Sequence, residues 1–140
     1  MRNTPRSLLD CCVEHLKPIV TVALHTGMRL SGILKLKWTQ VDLKHGFILL
    51  DITKNGERRE IPIDNTLTIM FNNMLKGFES KFVFAGKDGD PYKSVKRSFS
   101  TALKKSGIHD FRFHDLRHTF ASHLVMAGVD LTSVKELIRT

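Results

Sequence analysis

One stretch of this sequence, between Val41 and Ile63, interrupts a chain that is otherwise patterned for helices. Its centre is Asn55-Gly56, which favours a tight hairpin because both central residues of a type I′ turn need positive φ. A second turn is indicated where Lys44-His45-Gly46 separates two runs with strand character. The pattern predicts a small antiparallel sheet with strands at Val41-Asp42-Leu43, from Phe47 to Thr53 and from Arg58 to Ile63.

Apolar residues recur at helical spacing before and after the predicted sheet, which indicates a mostly helical chain. Asp64 and Asp130 each precede such a segment and can accept a hydrogen bond from its first turn. Helices are predicted from Ser7 to about Val13, from about Glu14 to Gly27, from Leu30 to Trp38, from Asp64 to near Gly77, from Lys93 to about Ser106, from His114 to Gly128 and from Asp130 onward, with a short strand at Phe82-Val83-Phe84. The predicted fold class is α+β: one mostly helical domain with a small antiparallel three-stranded sheet.

The charge balance limits the classes of partner. The 140 residues contain 22 lysines and arginines against 14 aspartates and glutamates, a net charge of +8. This excess indicates a polyanionic partner, of which nucleic acid is the first candidate, although a merely basic soluble protein fits it as well. Cys11 and Cys12 are neighbours that cannot form an ordinary disulfide with each other, and no apolar run is long enough to cross a bilayer. We expect a cytoplasmic protein without membrane contact.

Four residues far apart in the sequence have the chemistry to bind one phosphate diester. Planar guanidinium groups, here Arg29 and Arg117, meet the nonbridging oxygens of such a group bidentately. His114 and Arg117 are three residues apart on one helix and face the same space, so His114 could handle the proton of a nucleophile. Lys54, at the predicted hairpin, could protonate the leaving oxygen. The arginines would supply the charge that Mg²⁺ supplies in other phosphoryl transfers, so no metal is expected.

Each of these residues also has an ordinary interpretation. An arginine near a helix start is usually a surface residue, and a lysine beside Asn-Gly is usually a solvated turn residue. His114 and His118 have the spacing of a zinc site, but Asp115 stands where the metalloprotease motif needs glutamate, and no third ligand is evident. Two ordinary helix histidines are the simpler interpretation of that pair. A metal-dependent hydrolase that uses them is kept as a further hypothesis.

The order of these residues and the sequence segments around them resemble the catalytic domain of tyrosine recombinases, the phage integrase family. The matching segments cover nearly the whole chain and are Thr26-Gly27-Met28-Arg29, Leu34-Lys35-Leu36-Lys37-Trp38, Thr53-Lys54-Asn55-Gly56-Glu57 and Phe113-His114-Asp115-Leu116-Arg117-His118-Thr119-Phe120-Ala121-Ser122. The resemblance implies that Arg29, Lys54, His114 and Arg117 are catalytic, with His118 beside them. It also implies cleavage and rejoining of double-stranded DNA through a 3′-phosphotyrosine, without metal or nucleotide cofactor and with other recombinase protomers as partners.

Three features differ from the family's pattern. Gly32 stands where the family usually has a carboxylate, three residues after the first arginine. After Leu137 the chain reads Ile138-Arg139-Thr140, where the family typically continues with Leu-Gly-His and later the nucleophilic tyrosine. The chain also starts where the catalytic domain starts, without the N-terminal DNA-clamping domain. Because Tyr92 is the one tyrosine and lies upstream of His114 in a predicted loop, we expect residues 1–140 to form a catalytic domain that cannot cleave DNA alone.

The expected DNA contacts are basic residues from several segments, and the sequence does not show which of them share a face. They are Lys35, Lys37, Lys54, Arg58, Arg59, Lys93, Lys96, Arg97, Lys104, Lys105 and Arg112. Phosphate contacts of this kind give an affinity that falls steeply with salt and carries little sequence information. An alternative without catalysis is a remnant that binds DNA or docks with an intact recombinase.

Overall fold

Helices make up most of the structure, a computed structural model that describes residues 4–51, 58–76 and 80–138, with the backbone alone at 4–7, 51, 58 and 136–138. The α-helices within these ranges are α1 (Thr4–Cys11), α2 (Lys17–Thr26), α3 (Leu30–Leu34), α4 (Asn65–Leu75), α5 (Lys96–Ser106), α6 (Asp115–Met126) and α7 (Leu131–Ile138), and a short 3₁₀-helix spans Trp38–Gln40. Three strands form one antiparallel sheet in the order β1 (Val41–Asp42), β2 (Phe47–Asp51) and β3 (Arg58–Pro62). The predicted α+β fold class, mostly helical with a small three-stranded antiparallel sheet, is confirmed.

The first turn of the sheet forms where the sequence predicts it. Gly46 adopts a φ of 80°, in the left-handed region that glycine occupies without strain. Its N–H donates to the carbonyl of Asp42 at 2.8 Å, and the carboxylate of Asp42 accepts from the backbone N–H of His45 at 3.0 Å. Strand β2 then pairs with β3 over its whole length. The second turn, predicted at Asn55-Gly56, lies outside the described residues.

The helix predicted over residues 30–38 is correct only in its first half. After α3 the chain pairs with a distant segment: the N–H of Val83 donates to the carbonyl of Leu36 at 2.9 Å. One step further along, the N–H of Trp38 donates to the carbonyl of Lys81, also at 2.9 Å. These bonds satisfy backbone groups that would otherwise need helical partners. The tertiary pairing therefore outweighs the local helical pattern.

Three further predictions need correction. The segment 82–84, predicted as a strand, forms an isolated bridge with Lys37 and no regular strand. Helices α2 and α5 each begin later than predicted, at Lys17 and at Lys96. Before α5, the hydroxyl of Ser94 accepts from the N–H of Lys96 at 3.1 Å, a local bond that satisfies a donor of the first turn.

The apolar faces of the helices and of the sheet meet in one core. Its fully buried members include Leu8 of α1, Val20 of α2, Ile48 of β2, Phe71 of α4 and Leu116 of α6. Helix α2 packs against α6, and α1 packs against α5. This packing places the end of α2 beside α6. Within residues 4–51, 58–76 and 80–138, no helix has the length and hydropathy needed to cross a membrane.

Candidate active site

Arg29 follows the tight turn between α2 and α3. Gly27 ends α2 with a φ of 71°, the left-handed conformation that commonly terminates helices. Thr26 is buried, and its hydroxyl donates to the carbonyl of Val22 at 2.7 Å and accepts from the N–H of Met28 at 3.1 Å. The side chain of Arg29 is exposed. The turn thus presents an exposed guanidinium from a backbone that buried hydrogen bonds hold in place.

Arg117 lies in the first half of α6, and only 7% of its surface is exposed. In the part of the chain that the structure describes, it is the one buried side chain that carries a charge. Burial lowers the pKa of the Arg117 guanidinium, and the charge of Arg29 lowers that pKa further. An arginine titrates so far above neutral pH that Arg117 nevertheless remains charged. The structure therefore brings Arg29 and Arg117 close enough to interact.

The electrostatics of this arrangement favour an anion. Two cations near each other repel, and the repulsion is strongest where one of them is removed from bulk water. A phosphate between Arg29 and Arg117 would be attracted to both and would replace repulsion with two charge-assisted contacts. Fixed charges of this kind need no reorganisation when negative charge develops on a bound group.

His114 lies at the start of α6, one turn before Arg117. Its carbonyl accepts from the N–H of Arg117 at 3.0 Å. The imidazole of His114 is exposed and lies edge-on to that of His118, with ring centroids 5.2 Å apart and an angle of 85° between the planes. Because both rings face solvent, His114 can exchange a proton with a bound group and with water.

The remaining predicted residues have different outcomes. Lys54, the predicted proton donor, lies outside the described residues. Two of the expected DNA contacts, Lys35 and Lys37, are exposed between α3 and β1. Arg58 begins β3, and Arg59 is half-buried in the same strand. The other expected contacts are exposed in or near α5: Lys93, Lys96, Arg97, Lys104, Lys105 and Arg112.

The first turn of α5 is unusually basic. It contains Lys96 and Arg97, follows Lys93, and has no acidic residue. The start of a helix carries a partial positive charge, so each cation there costs roughly 0.3–1 kcal/mol of helix stability. A bound anion would offset this cost.

Gly32 lies within α3, three residues after Arg29, and packing does not require it to be a glycine. A Cβ built there would have Met28 Cε at 3.7 Å as its nearest neighbour, which is an ordinary van der Waals distance. The position therefore has room for a side chain.

Tyr92 packs in the loop before α5. Its ring lies 5.1 Å from that of His15, measured between centroids, and Nε2 of His15 lies 3.1 Å from the hydroxyl of Ser98. Tyr92 is half-buried and lines a cavity of about 640 Å³ whose walls include neither Arg29 nor Arg117. The structure therefore does not bring Tyr92 to the two arginines.

Among the residues that the structure describes, no third metal ligand joins the two histidines of α6. Within residues 4–51, 58–76 and 80–138, no three His, Cys, Asp or Glu side chains gather in a metal-binding arrangement. The described part of the chain thus adds nothing to His114 and His118 that would make a zinc site.

Two contacts around the Arg29 turn were not predicted. One is the pair of hydrogen bonds that the buried hydroxyl of Thr26 makes with the backbone of Val22 and Met28. The other involves Asp64, whose predicted role as a helix cap is confirmed because its carboxylate accepts from the N–H of Leu67 at 2.9 Å. The second carboxylate oxygen of Asp64 pairs with Nδ1 of His25, 39 residues earlier in the chain. No local sequence signal connects residues at that separation.

Residues 3–138 match the phage integrase family. The chain is 36% identical to the integrase of Salmonella phage P22 over an alignment that covers 94% of this chain and 38% of that protein. It is 33% identical to tyrosine recombinase XerC of Lactobacillus leichmannii, over 87% of this chain and 45% of that protein. The chain thus spans less than half the length of these curated relatives.

Solved structures share the fold. A XerA recombinase matches with a TM-score of 0.85 and 21% identity, over all of this chain and 55% of that one. The catalytic domain of bacteriophage HP1 integrase matches with a TM-score of 0.73 and 28% identity, over 99% of this chain and 77% of that one. A lambda integrase dimer bound to a COC′ core site matches with a TM-score of 0.77 and 19% identity, over 97% of this chain and 55% of that one.

Proposed function

Because this chain belongs to the phage integrase family, we propose that it is the DNA-binding catalytic core of a site-specific tyrosine recombinase. The proposed activity is breakage and rejoining of double-stranded DNA through a 3′-phosphotyrosine. One observation carries the proposal: buried Arg117 and exposed Arg29 lie close enough for their charges to interact, with His114 on the same helix as Arg117. Such a site suits a single phosphate diester.

In the proposed reaction, a tyrosine oxygen attacks the phosphorus of one DNA diester and its bond to the 5′ oxygen breaks. Arg29 and Arg117 bind the nonbridging oxygens and stabilise the charge that develops on them. His114, with His118 beside it, handles the proton that leaves the tyrosine, and Lys54 gives a proton to the departing 5′ oxygen. One diester replaces another, so rejoining needs no nucleotide cofactor.

Double-stranded DNA and further recombinase protomers are the proposed partners. The exposed cations in and near α5 support DNA as a partner, because solvated lysines and arginines bind phosphates without selecting a sequence. Among the fold relatives, one lambda integrase structure is a dimer bound to a COC′ core site and another is a tetramer bound to a Holliday junction. An activity on DNA would place the chain in the cytoplasm.

The proposal includes the expectation that residues 1–140 do not cleave DNA by themselves. Tyr92 is the one tyrosine in the sequence, and its ring packs against His15. Attack requires the nucleophile within about 3–3.5 Å of the phosphorus, and a ring in that loop would have to leave its packing to reach it. A tyrosine outside residues 1–140 would have to supply the attacking oxygen.

A nicked DNA substrate that traps covalent intermediates tests both parts. The chain is incubated alone, and then with a full-length integrase relative that keeps its tyrosine but whose own arginine clamp is disabled by substitution. Denaturing electrophoresis then shows any protein attached to DNA. We expect no adduct from the chain alone and an adduct on the relative in the mixture. An adduct on Tyr92, identified by mass spectrometry, would contradict the expectation for the isolated chain.

The alternative is a module that binds DNA or a recombinase protomer without catalysis. An apolar surface on α6 and α7 favours protein contact, since Val125, Met126 and Leu131 are 46%, 83% and 64% exposed. The mixed reaction separates the two functions. Salt-sensitive DNA binding without any adduct in the mixture would support the module and contradict the catalytic core.

A further inference from the structure

We propose that the contact between His25 and Asp64 is a positioning element that holds the Arg29 turn against α6. This inference rests on the proposed function, because it concerns the geometry of the arginine pair. Neither residue belongs to the group proposed to act on DNA. The contact joins the last turn of α2 to the cap of α4, between residues that are 39 positions apart.

The Arg29 turn is held from the protein interior by its own residues. Thr26 is 1% exposed, and its hydroxyl bridges the carbonyl of Val22 and the N–H of Met28. These bonds fix the shape of the turn. They leave open where the turn lies relative to other elements, since all their partners belong to residues 22–28.

His25 supplies a connection beyond the turn. Its Nδ1 pairs with one carboxylate oxygen of Asp64, while the other oxygen accepts from the N–H of Leu67 at 2.9 Å. The backbone carbonyl of Asp64 also accepts from the N–H of Thr68 at 2.9 Å. Asp64 is therefore fixed at the start of α4, and its carboxylate offers His25 a stationary partner.

The contact lies where α2, α4 and α6 meet. His25 and Asp64 line a cavity of about 410 Å³ together with Phe120, His123 and Leu124 of α6. Phe120 lies one turn after Arg117 on that helix. A cavity leaves the adjoining elements with fewer packing contacts than a filled core. Because the contact fixes the end of α2 to the start of α4, it limits how far the end of α2 can move toward or away from the cavity that it shares with α6.

A restraint is needed at this junction because Arg29 and Arg117 repel each other. The charge of Arg29 disfavours the charged form of Arg117. Before DNA binds, that repulsion favours separation of the Arg29 turn from α6. The contact between His25 and Asp64 opposes this movement and keeps the arginines at the spacing that a phosphate requires.

The experiment measures arginine geometry and catalysis separately in four single variants. His25→Ala removes the contact, and His25→Asn restores a donor near the position of Nδ1. Asp64→Ser keeps a good helix cap but is too short to reach His25. His45→Ala is the matched control, because it removes another histidine–aspartate pair, with Asp42, in the turn before β2.

The first readout is the side-chain Nε–H resonance of Arg117 in ¹H–¹⁵N spectra of the 140-residue chain, assigned by its loss in Arg117→Lys. We expect the resonance to shift and broaden in His25→Ala and Asp64→Ser, and to stay near its original position in His25→Asn and His45→Ala. The second readout is strand cleavage in the mixed reaction with the relative that keeps its tyrosine. In His25→Ala and Asp64→Ser we expect the cleavage rate at saturating DNA to fall roughly ten- to hundredfold while DNA affinity stays unchanged, because small displacements of catalytic groups are costly.

An unchanged Arg117 resonance in both His25→Ala and Asp64→Ser would overturn the positioning role. Equal losses of rate, DNA affinity and thermal stability would overturn it too, since they would show that the contact only stabilises the fold. If the unsubstituted chain gives no cleavage in the mixture, the catalytic proposal fails, and the Arg117 resonance decides the positioning role independently. If His25→Ala does not fold, Asp64→Ser against His45→Ala gives the same decision.

Discussion

Positive charge occurs in two different settings in this molecule. Arg117 is buried between packed helices, with 7% of its surface exposed, whereas Lys96 and Arg97 in the first turn of α5 are exposed. Water screens the exposed cations, so they attract any polyanion over a broad surface. The buried cation is screened much less and has a fixed position. We infer that α5 contributes affinity for DNA and that Arg117 contributes chemistry at one phosphate.

The largest expected effect comes from the buried cation. Arg117→Ala should lower the cleavage rate in the mixed reaction by roughly 10²–10³-fold, the usual loss when one preorganised donor to a developing negative charge is removed. Arg117→Lys should recover little of that loss, because an ammonium does not reproduce the planar fork of a guanidinium. Single-turnover cleavage of the nicked substrate measures both variants.

Lys87→Ala is the control for this comparison, since Lys87 is exposed in the loop before α5, carries the same charge and is not among the expected DNA contacts. It should change the rate at saturating DNA by less than about twofold, as expected for a solvated charge outside the site. Equal losses in Arg117→Ala and Lys87→Ala would mean that burial of the cation makes no difference to the rate.

The next effect concerns the half-buried thiol of Cys12, a neutral group in helix-packed surroundings. Burial raises the pKa of Cys12 from 9.0 to about 11, with a smaller contribution from Cys11, and the Cys12 thiol donates to the carbonyl of Leu8 at 3.2 Å. In Cys11→Ser, where Cys12 is the one remaining thiol, iodoacetamide at pH 8 should react more slowly than with the unfolded chain, by up to about a hundredfold, because two pKa units remove that much thiolate and the variant loses only the smaller contribution of Cys11.

Mass spectrometry over time measures this reaction, with the same variant in denaturant as the reference. The sign of the pH dependence follows from the same shift. Between pH 9 and about 11 the unfolded thiol loses its proton while the folded thiol keeps it, so stability falls as the pH rises through this range. Equal alkylation rates in the folded and unfolded chain would contradict burial of the thiol.

A smaller effect is expected from each exposed cation at or just before the start of α5. Replacing Lys93, Lys96 or Arg97 with Gln should lower DNA affinity less than about tenfold and make the slope of log K against log salt shallower by about 0.9 for each phosphate that the variant no longer neutralises. Fluorescence anisotropy across a salt series measures both quantities. If a variant lowers the cleavage rate but leaves the salt slope unchanged, the substituted residue acts in catalysis, as proposed for Arg117, and not in DNA affinity.

The smallest expected effect is at Gly32. Gly32→Ala should stabilise the fold by about 1 kcal/mol, because alanine loses less backbone entropy in a helix and its Cβ meets only an ordinary contact with Met28. Thermal denaturation measures the change. Gly46→Ala is the control and should destabilise, since the φ of 80° at Gly46 is strained for any other residue.

Local signals predicted the elements that local chemistry controls. Gly27 and Gly107 end helices in left-handed conformations, and Asp64 caps α4, as the sequence indicates. The same signals failed after α3, because backbone bonds from Leu36 to residue 83 and from Trp38 to residue 81 replace helical bonds there. A helical pattern contains no information about a partner that lies so far along the chain.

At the candidate site, too, some features could be predicted from the sequence and others depend on tertiary packing. The residue types and their order identified Arg29, His114 and Arg117 as a set, and the structure brings the two arginines together. The burial of Arg117 was not predictable from the periodicity of α6, because it depends on how the helices pack around that side chain. The contact between His25 and Asp64 escaped prediction for the same physical reason.

The backbone bonds at Leu36 and Trp38 also bear on changes in chain length. These bonds pair residues 36–38 with residues 81–83 and so hold together the two ends of residues 39–80, the region that contains the sheet and α4. The entropic cost of closing a loop rises only slowly with its length, so this pairing tolerates a change in the number of residues in the region that it closes. We therefore expect the helices that carry the arginines to keep their packing when the length of that region changes.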